Sequence, residues 1–201
     1  MCLLFETIRI SDGVPQYLRW HEQRMESALN EIWGDSLPVN LDNIIRVPSE
    51  FSRGVARCNI QYGPGIKQVT FLPYEKRVIR SLKTVISPDI DYHLKYTDRS
   101  HLDILLNQRG SCDDIIIVKN GLVTDTSMSN LAFFDGKQWF TPAEPLLHGT
   151  CRNRLLAEGQ IATMEIHLTD LPDFFGCTLI NAMRDLQEEE MIPVSNIFPP
   201  G

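Results

Sequence analysis

Turn signals that contain glycine divide the 201-residue chain into short apolar runs, and this spacing constrains the fold more than any other feature. Asp12-Gly13, Gly63-Pro-Gly65 and Asn120-Gly121 each follow a run rich in β-branched and aromatic residues, a pattern typical of strands joined by tight turns. Apolar residues at helical spacing interrupt these runs most clearly over residues 20–33. Short strands interrupted by helices predict an α+β fold built around a barrel-like sheet.

The predicted elements fall into two groups, separated by the polar stretch Pro73-Tyr-Glu-Lys-Arg77. We predict a small N-terminal α/β domain over residues 1–74 and a larger C-terminal α+β domain with a barrel-like sheet over residues 79–201. The predicted strands are 2–10, 14–18, 55–62, 67–72, 78–86, 165–168 and 177–181, with hairpins over 113–123 and 129–140, a strand or tail over 193–201, and helices over 20–33, 41–45, up to about 108, and 149–159.

Composition and charge exclude several classes of function. The net charge of −7 argues against nucleic acid or an anionic membrane as the main partner, because both attract basic proteins. No stretch approaches the roughly 18 apolar residues of a membrane span, and the first residues do not have the pattern of a signal peptide. The cysteines show no C-x-x-C pairing, so we predict reduced thiols in a cytoplasmic protein and no metal site; they are Cys2, Cys58, Cys112, Cys151 and Cys177.

A lysine, Lys95, lies between a strand-like run that ends at Ile86 and a helical pattern that includes Leu102. Tyr92 and Tyr96 are close to it in sequence. A lysine amine that is partly desolvated becomes a nucleophile or a base. A solvated surface cation explains the same residues, and this stretch alone leaves both interpretations open.

A possible anion site lies within residues 145–154, where Gly149 and Thr150 open a predicted helix. The first N–H groups of a helix have no partner within it and face the positive end of its dipole. Thr150 would add a hydroxyl donor and Arg152 a guanidinium group. An ordinary loop that enters a helix is the structural alternative.

An acid, Asp125, precedes the polar run Ser127-Met-Ser-Asn130 within the predicted hairpins. A carboxylate buried at the end of a strand needs a cationic or N–H partner. The pattern therefore predicts a ligand-binding acid, while a turn rich in serine and asparagine is the alternative.

The order and spacing of short motifs are more specific than any one motif. They are Phe5-Glu-Thr-Ile-Arg-Ile10, His21-Glu-Gln-Arg24-Met25 with Ala28, Lys95-Tyr-Thr-Asp-Arg99, Gly121-Leu-Val-Thr-Asp125, Ser127-Met-Ser-Asn130, Thr141-Pro142, Gly149-Thr-Cys-Arg152, Ile180-Asn-Ala182 and Pro193-Val194. Together they resemble the class IV aminotransferases over nearly the whole chain. These are pyridoxal-phosphate enzymes of fold type IV, and they include branched-chain and D-amino-acid aminotransferases and aminodeoxychorismate lyase.

This resemblance implies a role for each matched residue. Lys95 would hold pyridoxal 5′-phosphate as a Schiff base and later move a proton. Asp125 matches the family's glutamate, which pairs with the pyridinium nitrogen. The cofactor phosphate would be bound by Arg24 on the first helix, by Gly149, Thr150 and Cys151 at a helix N-terminus, and by Ala182 in a second loop.

Four departures from the family pattern concern the cofactor and the ends of the domains. Aspartate replaces glutamate at position 125, and Cys151 stands where the family has threonine, whose hydroxyl is a better donor than a thiol. The chain begins close to the Phe5-Glu-Thr motif, without the family's preceding strands, and residues 184–190 form a short insertion. A degenerate cofactor-binding protein without catalysis is therefore one hypothesis.

Two reactions of the family fit the motifs. In the lyase reaction, Lys95 would take a ring proton from 4-amino-4-deoxychorismate, and pyruvate would leave to give 4-aminobenzoate for folate synthesis. In an amino-acid aminotransferase of the branched-chain or D-amino-acid type, Lys95 would move a proton from the substrate to the cofactor. Thr7 matches the lyase threonine that helps to protonate the leaving group, and Asn181-Ala-Met183 resembles the lyase's Asn-Ala-Leu, so the sequence favours the lyase.

The resemblance also implies a homodimer that acts on a small-molecule amino substrate. Carboxylates of that substrate need cationic partners, and the candidates are Arg9, Arg57, Lys67 and Arg184. Asp98 and Arg99, next to the lysine, are interpreted as the start of a helix.

Overall fold

The computed structural model describes residues 3–35 and 38–200, which divide into two compact units. The first unit reaches to Lys76 and takes in Leu94–Asp98, and the second comprises Arg77–His93 and the chain from Arg99 onward. Strands predominate over helices in both units, so the predicted α+β class is confirmed. The remaining residues lie outside the described part, including the start of predicted strand 2–10 and the end of the predicted tail; they are Met1, Cys2, Ser36, Leu37 and Gly201.

The first unit contains an antiparallel sheet with helices packed on one face. Its elements are β1 (Leu4–Ser11), β2 (Val14–Pro15), α1 (Leu18–Trp33), α2 (Leu41–Ile44), a 3₁₀ turn (Ser49–Phe51), β3 (Val55–Gly63) and β4 (Gly65–Pro73). The strand order is β2-β1-β3-β4. Alternate side chains of β1 and β3 are buried, as expected for strands with one covered face. They share a core with Met25, Ala28 and Leu29 of α1.

The second unit contains a larger sheet with parallel and antiparallel pairs. Its strands are β5 (Leu82–Ile86), β6 (Asp114–Lys119), β7 (Leu122–Thr126), β8 (Asn130–Phe134), β9 (Trp139–Pro142), β10 (Ala162–Met164), β11 (Gly176–Ile180), β12 (Ile192–Pro193) and β13 (Ile197–Phe198). Its helices are α3 (Ser100–Leu106) and α4 (Thr150–Ala157), with 3₁₀ turns at Asn107–Arg109, Leu168–Asp173, Glu188–Glu190 and Val194–Asn196. The strand order is β10-β9-β8-β7-β6-β5-β13, and β11 pairs with β8 and β12.

Two hairpin turns have the backbone that their sequences predict. Asp12 and Gly13 have φ angles of 47° and 80°, and Asn120 and Gly121 have φ angles of 52° and 82°. A type I′ turn needs positive φ at both central positions, which asparagine, aspartate and glycine tolerate best. The predicted turns between β1 and β2 and between β6 and β7 are therefore confirmed.

Three predicted strands differ from the structure. The strand predicted at 14–18 is confined to β2, because Leu18 already begins α1. The strand predicted at 78–86 begins only at Leu82, since the Asp113 carboxylate accepts the N–H of Arg80 and holds that residue outside the ladder. The strand predicted at 165–168 is wrong: Asp170 caps the N–H of His167, and a 3₁₀ turn begins there.

The segment Leu94–Asp98 packs with the first unit, although these residues were predicted to belong to the C-terminal domain. The N–H of Phe5 donates to the carbonyl of Lys95 at 3.0 Å, and the N–H of Thr97 donates to the carbonyl of Leu3 at 2.9 Å. Leu94 is 8% exposed and belongs to the apolar core of this unit. The backbone of the lysine is thus attached to β1.

The described residues contain neither a helix long and apolar enough to cross a membrane nor a group of three or more His, Cys, Asp and Glu side chains arranged to hold a metal ion.

Replacing Leu94 by alanine tests how firmly the lysine segment is anchored. We expect Leu94→Ala to lower the free energy of unfolding by about 2–5 kcal/mol, because the deleted atoms leave a cavity in the core. Urea denaturation measures the change. The control Leu72→Ala removes the same atoms from a side chain that is 41% exposed, and should cost about 1 kcal/mol or less. Equal losses in both variants would contradict a core role for Leu94.

Candidate functional site

Lys95 and Thr7 lie on the same face of the sheet in the first unit. The Nζ atom of Lys95 is 4.6 Å from the centroid of the Phe5 ring. Phe5 and Thr7 are two residues apart on β1, and both are half-buried on the face opposite to the core. The Thr7 hydroxyl lies 3.0 Å from Oδ1 of Asn59, its cross-strand neighbour on β3. An amine and a hydroxyl, the usual partners in proton transfer, are therefore presented on one surface.

Two arginines stand directly opposite each other on the same face. Arg9 of β1 pairs in register with Arg57 of β3, and like charges in this position repel each other. The Nε atom of Arg57 is buried and has no hydrogen-bond partner among the described residues. A buried donor without an acceptor is uncommon in native structures, so this atom is suited to an acceptor group of a ligand.

The other two predicted carboxylate-binding residues are engaged elsewhere. The ammonium group of Lys67 is exposed and lies 3.3 Å from the carbonyl of Pro64. Arg184 donates to the carbonyl of Arg77 and lies 3.5 Å from the Glu190 carboxylate. Of the four predicted candidates, Arg57 is the one with a buried side-chain donor that has no partner among the described residues.

Arg24 is held by a buried acid in the first unit. Its Nε atom donates to Oε1 of Glu6 at 2.9 Å, and its Nη2 atom donates to Oε2 at 2.5 Å. His21, one turn earlier on α1, places Nδ1 at 2.6 Å from the same carboxylate. Burial by itself raises the pKa of Glu6, but the charge of Arg24 and the hydrogen bond from His21 outweigh it and lower the pKa to about 2.

Asp125 is a buried acid of the opposite kind, in the second unit. It is 5% exposed and lies where β7 pairs with β8. Its Oδ1 atom accepts the side-chain N–H of Asn130 at 2.7 Å, and Oδ2 accepts the N–H of Leu147 at 2.9 Å. Burial raises the pKa of Asp125 to about 7, since these hydrogen bonds offset only part of the cost of removing the charge from water.

The loop before α4 is fitted around the side chain of Asn130. The amide of Asn130 also donates to the carbonyl of Leu147 at 2.8 Å, so it joins β7, β8 and this loop. A Cβ atom built on Gly149 would lie 1.9 Å from Oδ1 of Asn130. Glycine is therefore required at position 149 by the space that Asn130 fills, although its backbone angles are ordinary.

The N-terminus of α4 has main-chain donors that could bind an anion. The Cys151 side chain, predicted to help bind the cofactor phosphate, points into the core instead. Gly149 is the N-cap, so the N–H groups of Thr150 and Cys151 have no acceptor within the helix. The Cys151 thiol lies 3.6 Å from the carbonyl of Arg184 and belongs to an apolar cluster. Burial raises its pKa to about 12. Cys151 can thus meet an anion through its backbone N–H, while its thiol fills the core.

Arg152, a candidate oxyanion fork in the sequence, is a structural residue. Its Nη2 atom donates to the carbonyl of Pro142 at 2.8 Å, and its Nε atom to the Thr141 hydroxyl at 3.3 Å. The side chain is 3% exposed. It fastens α4 to the end of β9.

Ala182 lies in a tight turn next to the polar run that follows Asp125. The turn closes through reciprocal main-chain hydrogen bonds between Asn181 and Arg184, at 2.9 and 3.0 Å. The Asn181 amide donates to the Ser129 hydroxyl at 2.8 Å. Because β11 pairs with β8, this turn, Asn130 and the start of α4 belong to one region of the second unit.

Each unit separately fits one part of pyridoxal phosphate. The first unit presents the Lys95 amine for an aldehyde and the Arg24 guanidinium for a phosphate. The second presents free N–H groups at the start of α4, which suit a phosphate, and a buried acid whose raised pKa would fall beside a pyridinium cation. Within each unit, the residues present therefore fit the part of the cofactor that they would meet, with Cys151 contributing its main chain.

Sequence reasoning gave no role to three residues that shape the site. Glu6 and His21 belong to motifs of the family pattern, but no function was predicted for either. A signal for Glu6 was visible in the sequence, because it is the one acid among the inward positions of β1, which otherwise carry Leu4, Ile8 and Ile10. The fit of Asn130 against Gly149 had no such signal, because it depends on two segments that meet only in the folded chain. Arg99, interpreted as a helix start, is the N-cap residue of α3 and donates to the carbonyl of Ser127 at 2.7 Å.

Comparison with known proteins identifies close relatives. The family model for class IV amino-transferases matches residues 69–197. An uncharacterized protein of Haemophilus influenzae (strain ATCC 51907 / DSM 11121 / KW20 / Rd) is 42% identical over 185 residues, which cover 91% of this chain and 98% of the relative. A crystal structure from Haemophilus somnus 129PT is 38% identical with a TM-score of 0.86, and covers 92% of this chain and 98% of its own. The description of that protein names it as a proposed 4-amino-4-deoxychorismate lyase.

A more distant structure shows the same fold with cofactor. It is a hypothetical aminotransferase of Mycobacterium tuberculosis in its PLP-bound form, with a TM-score of 0.73. The match covers 97% of this chain and 81% of that one at 18% identity, so it bears on the fold alone. The predicted fold type IV is confirmed by these structural neighbours.

The raised pKa of Asp125 predicts the pH dependence of stability in the ligand-free protein. Between its ordinary pKa of 3.8 and about 7, the native state keeps a proton that the unfolded state loses. Stability from this group is therefore present at pH 4 and is lost as the pH rises through 7. As the pH rises over this range, the free energy of unfolding of Asp125→Asn should increase relative to that of the parent. The total should be several kcal/mol, because each pKa unit corresponds to about 1.4 kcal/mol.

Urea denaturation from pH 4 to pH 8 checks this expectation. Asp135→Asn is the control, because neighbouring N–H groups lower the pKa of that exposed acid and give it no such loss. A constant difference between Asp125→Asn and the parent across the range would contradict the raised pKa.

The clash at Gly149 predicts a conditional effect of a methyl group. Gly149→Ala should destabilise the protein by about 1–3 kcal/mol, because the added Cβ displaces the Asn130 side chain from its partners. In an Asn130→Ser background the same substitution should cost much less, since the clashing atom is gone. Urea denaturation of the four proteins in this cycle measures the coupling. Equal costs in both backgrounds would show that Asn130 is not the obstacle.

Proposed function

The chain belongs to the class IV aminotransferase family, and from this premise we propose that it is an aminodeoxychorismate lyase that uses pyridoxal phosphate to convert 4-amino-4-deoxychorismate into 4-aminobenzoate and pyruvate. The observation that carries the proposal is the placement of the Thr7 hydroxyl on the same sheet face as the Lys95 amine. The lyase assignment of the Haemophilus somnus protein is in line with it.

The residues would hold the cofactor at three points. By resemblance to the family, Arg24 of the first unit and the N–H groups at the start of α4 in the second would each bind phosphate. The Lys95 amine would bind the aldehyde carbon, and Asp125 would pair with the ring nitrogen. When bound, pyridoxal phosphate supplies an electron sink for a carbanion. Asp125 would keep the ring nitrogen protonated, because a buried carboxylate favours a cation as its neighbour.

The elimination itself needs one base and one acid. The Lys95 amine removes a proton from the substrate ring, the C–O bond to the enolpyruvyl group breaks, and the Thr7 hydroxyl passes a proton to the departing group. The Asn59 amide contacts the Thr7 oxygen. Because an amide carries both an acceptor and donors, its rotation would let Asn59 donate and leave the hydroxyl hydrogen for the leaving group.

The substrate's carboxylates find their partners on the same face. Aminodeoxychorismate carries two carboxylates, and Arg9 and Arg57 stand opposite each other there. The unpartnered Nε of Arg57 supports this assignment. A carboxylate between the two guanidinium groups would relieve their repulsion.

Amino-acid transamination is the alternative, because the matched family model is that of amino-transferases. The same lysine, acid and phosphate-binding groups would serve it, with Lys95 moving a proton from the substrate to the cofactor and no role for Thr7. A degenerate protein that binds the cofactor without catalysis is the second alternative. A homodimer, from the family resemblance, and a cytoplasmic location, from the unpaired cysteines, belong to the proposal as well.

The deciding experiment generates aminodeoxychorismate in situ and follows 4-aminobenzoate. We expect product from the parent protein and none from Lys95→Ala. Thr7→Val should lower the rate about 10²–10⁴-fold, as expected for loss of a general acid, with cofactor absorbance unchanged. The control Thr70→Val removes a hydroxyl from the same row of the sheet, two strands away, and should leave the rate unchanged.

Other outcomes would point elsewhere. Turnover of alanine or glutamate with a keto acid, without 4-aminobenzoate, would establish the transaminase instead. Cofactor binding without either reaction would establish the degenerate protein. An unchanged cofactor absorbance in Lys95→Ala would overturn the family's role for that lysine.

A further inference from the structure

The inward side of β1 carries an acid where an apolar residue would be expected. Glu6 is 0% exposed and lies between Leu4 and Ile8 in the core of the first unit. Removing a carboxylate from water costs several kcal/mol even after relaxation. A strand residue with only a packing role would not carry this cost, so the acid must be explained by what it binds.

Both partners of Glu6 come from one face of α1. His21 and Arg24 are three residues apart, so their side chains are neighbours on the helix surface. Arg24 uses its Nε and Nη2 atoms, at 2.9 and 2.5 Å, to contact the two carboxylate oxygens. A guanidinium bound in this two-point manner cannot rotate about its long axis. The Glu6 carboxylate therefore fixes the plane in which the other donors of Arg24 lie.

His21 holds the carboxylate in turn. Burial lowers the pKa of His21, although its hydrogen bond to Glu6 acts in the other direction, so the ring is neutral near pH 7. A neutral imidazole beside an ionised carboxylate donates from the contacting nitrogen, which is Nδ1 at 2.6 Å. Glu6 is thus fixed on one side by His21 and on the other by Arg24.

We propose that Glu6 is a positioning residue for anion binding: with His21 it orients the Arg24 guanidinium so that its remaining donors meet the phosphate of a pyridoxal-type ligand. This inference rests on the proposed function, in which Arg24 binds that phosphate. The proposed function does not include Glu6, and here part of the affinity for the phosphate is assigned to Glu6, a residue that does not touch the ligand. Oriented donors bind more tightly because less rotational freedom is lost on binding.

Fluorescence titration of the ligand-free protein with pyridoxal phosphate tests the inference without measuring catalysis. We expect Glu6→Gln, which keeps the shape of the side chain and removes its charge, to weaken binding about 10–100-fold, the range seen when residues that support the ligands of a metal site are removed. Arg24→Gln should weaken binding at least as much. Glu6→Gln should have little further effect in the Arg24→Gln background, because Glu6 acts through Arg24.

The control is on the same helix. The Glu22 carboxylate accepts the N–H of Leu41 at 2.8 Å and therefore has a comparable structural task. Glu22→Gln should lower the free energy of unfolding without changing affinity for pyridoxal phosphate. If Glu6→Gln lowered affinity equally with and without Arg24, its role would be general packing, and the inference would be overturned.

A second pair of variants covers the case in which Glu6→Gln fails to fold. His21→Asn retains a donor near the position of Nδ1 and should bind pyridoxal phosphate like the parent, whereas His21→Leu removes the donor and should bind more weakly. Equal affinity of these two variants would overturn the inference while leaving the proposed function intact. An absence of saturable binding by the parent protein would overturn both.

Discussion

The amide of Asn130 is the contact on which the second unit's part of the candidate site depends. It bonds to Asp125 on β7 and to the carbonyl of Leu147 in the loop before α4. Its oxygen occupies the space that a side chain on Gly149 would need. One side chain thus sets the distance between a buried acid and a helix N-terminus. The proposed function uses the acid for a cation and the helix N-terminus for an anion, and neither could move without breaking hydrogen bonds of Asn130.

Two buried carboxyl groups show how neighbours decide what an acid can do. Glu6 lies against Arg24 and His21, so its pKa is lowered to about 2 and it stays ionised. Asp125 receives hydrogen bonds from an amide and a backbone N–H, so burial dominates and its pKa rises to about 7. The first acid is committed to holding a side chain in place. The second can still gain stabilisation from a cation, which is what a protonated ring nitrogen supplies.

Local chemistry made some of the fold predictable from sequence. Asn120-Gly121 predicted a hairpin correctly, since the preference for positive φ belongs to those two residues alone. The strand at 165–168 was wrong because the Asp170 side chain caps a 3₁₀ turn there, and apolar alternation does not register such a cap. The lysine segment follows the predicted domain boundary in sequence, so it was assigned to the C-terminal domain. Its hydrogen bonds to Leu3 and Phe5 could not be predicted, because they connect residues about 90 positions apart.

The candidate site was predictable in a different sense. The residue patterns singled out Lys95 and Asp125 but left ordinary structural explanations open, and the roles predicted for them and for Arg24 came from the family resemblance. Their supporting residues depend on long-range packing: the reach of Glu6 to α1 and the fit of Gly149 against Asn130 arise only in the folded chain. An acid on the apolar side of β1 was the one clue of this kind that the sequence displayed.

The hydrogen bond from the Phe5 N–H to the Lys95 carbonyl gives the lysine segment a reporter 90 positions earlier in the sequence. The hydrogen of that amide can exchange with solvent only when the bond opens. Its exchange rate therefore measures how often the backbone of Lys95 detaches from β1. A slowly exchanging Phe5 amide would mean that the amine is offered from a rigid main chain, whereas fast exchange would mean that the reactive conformation is one member of a local ensemble.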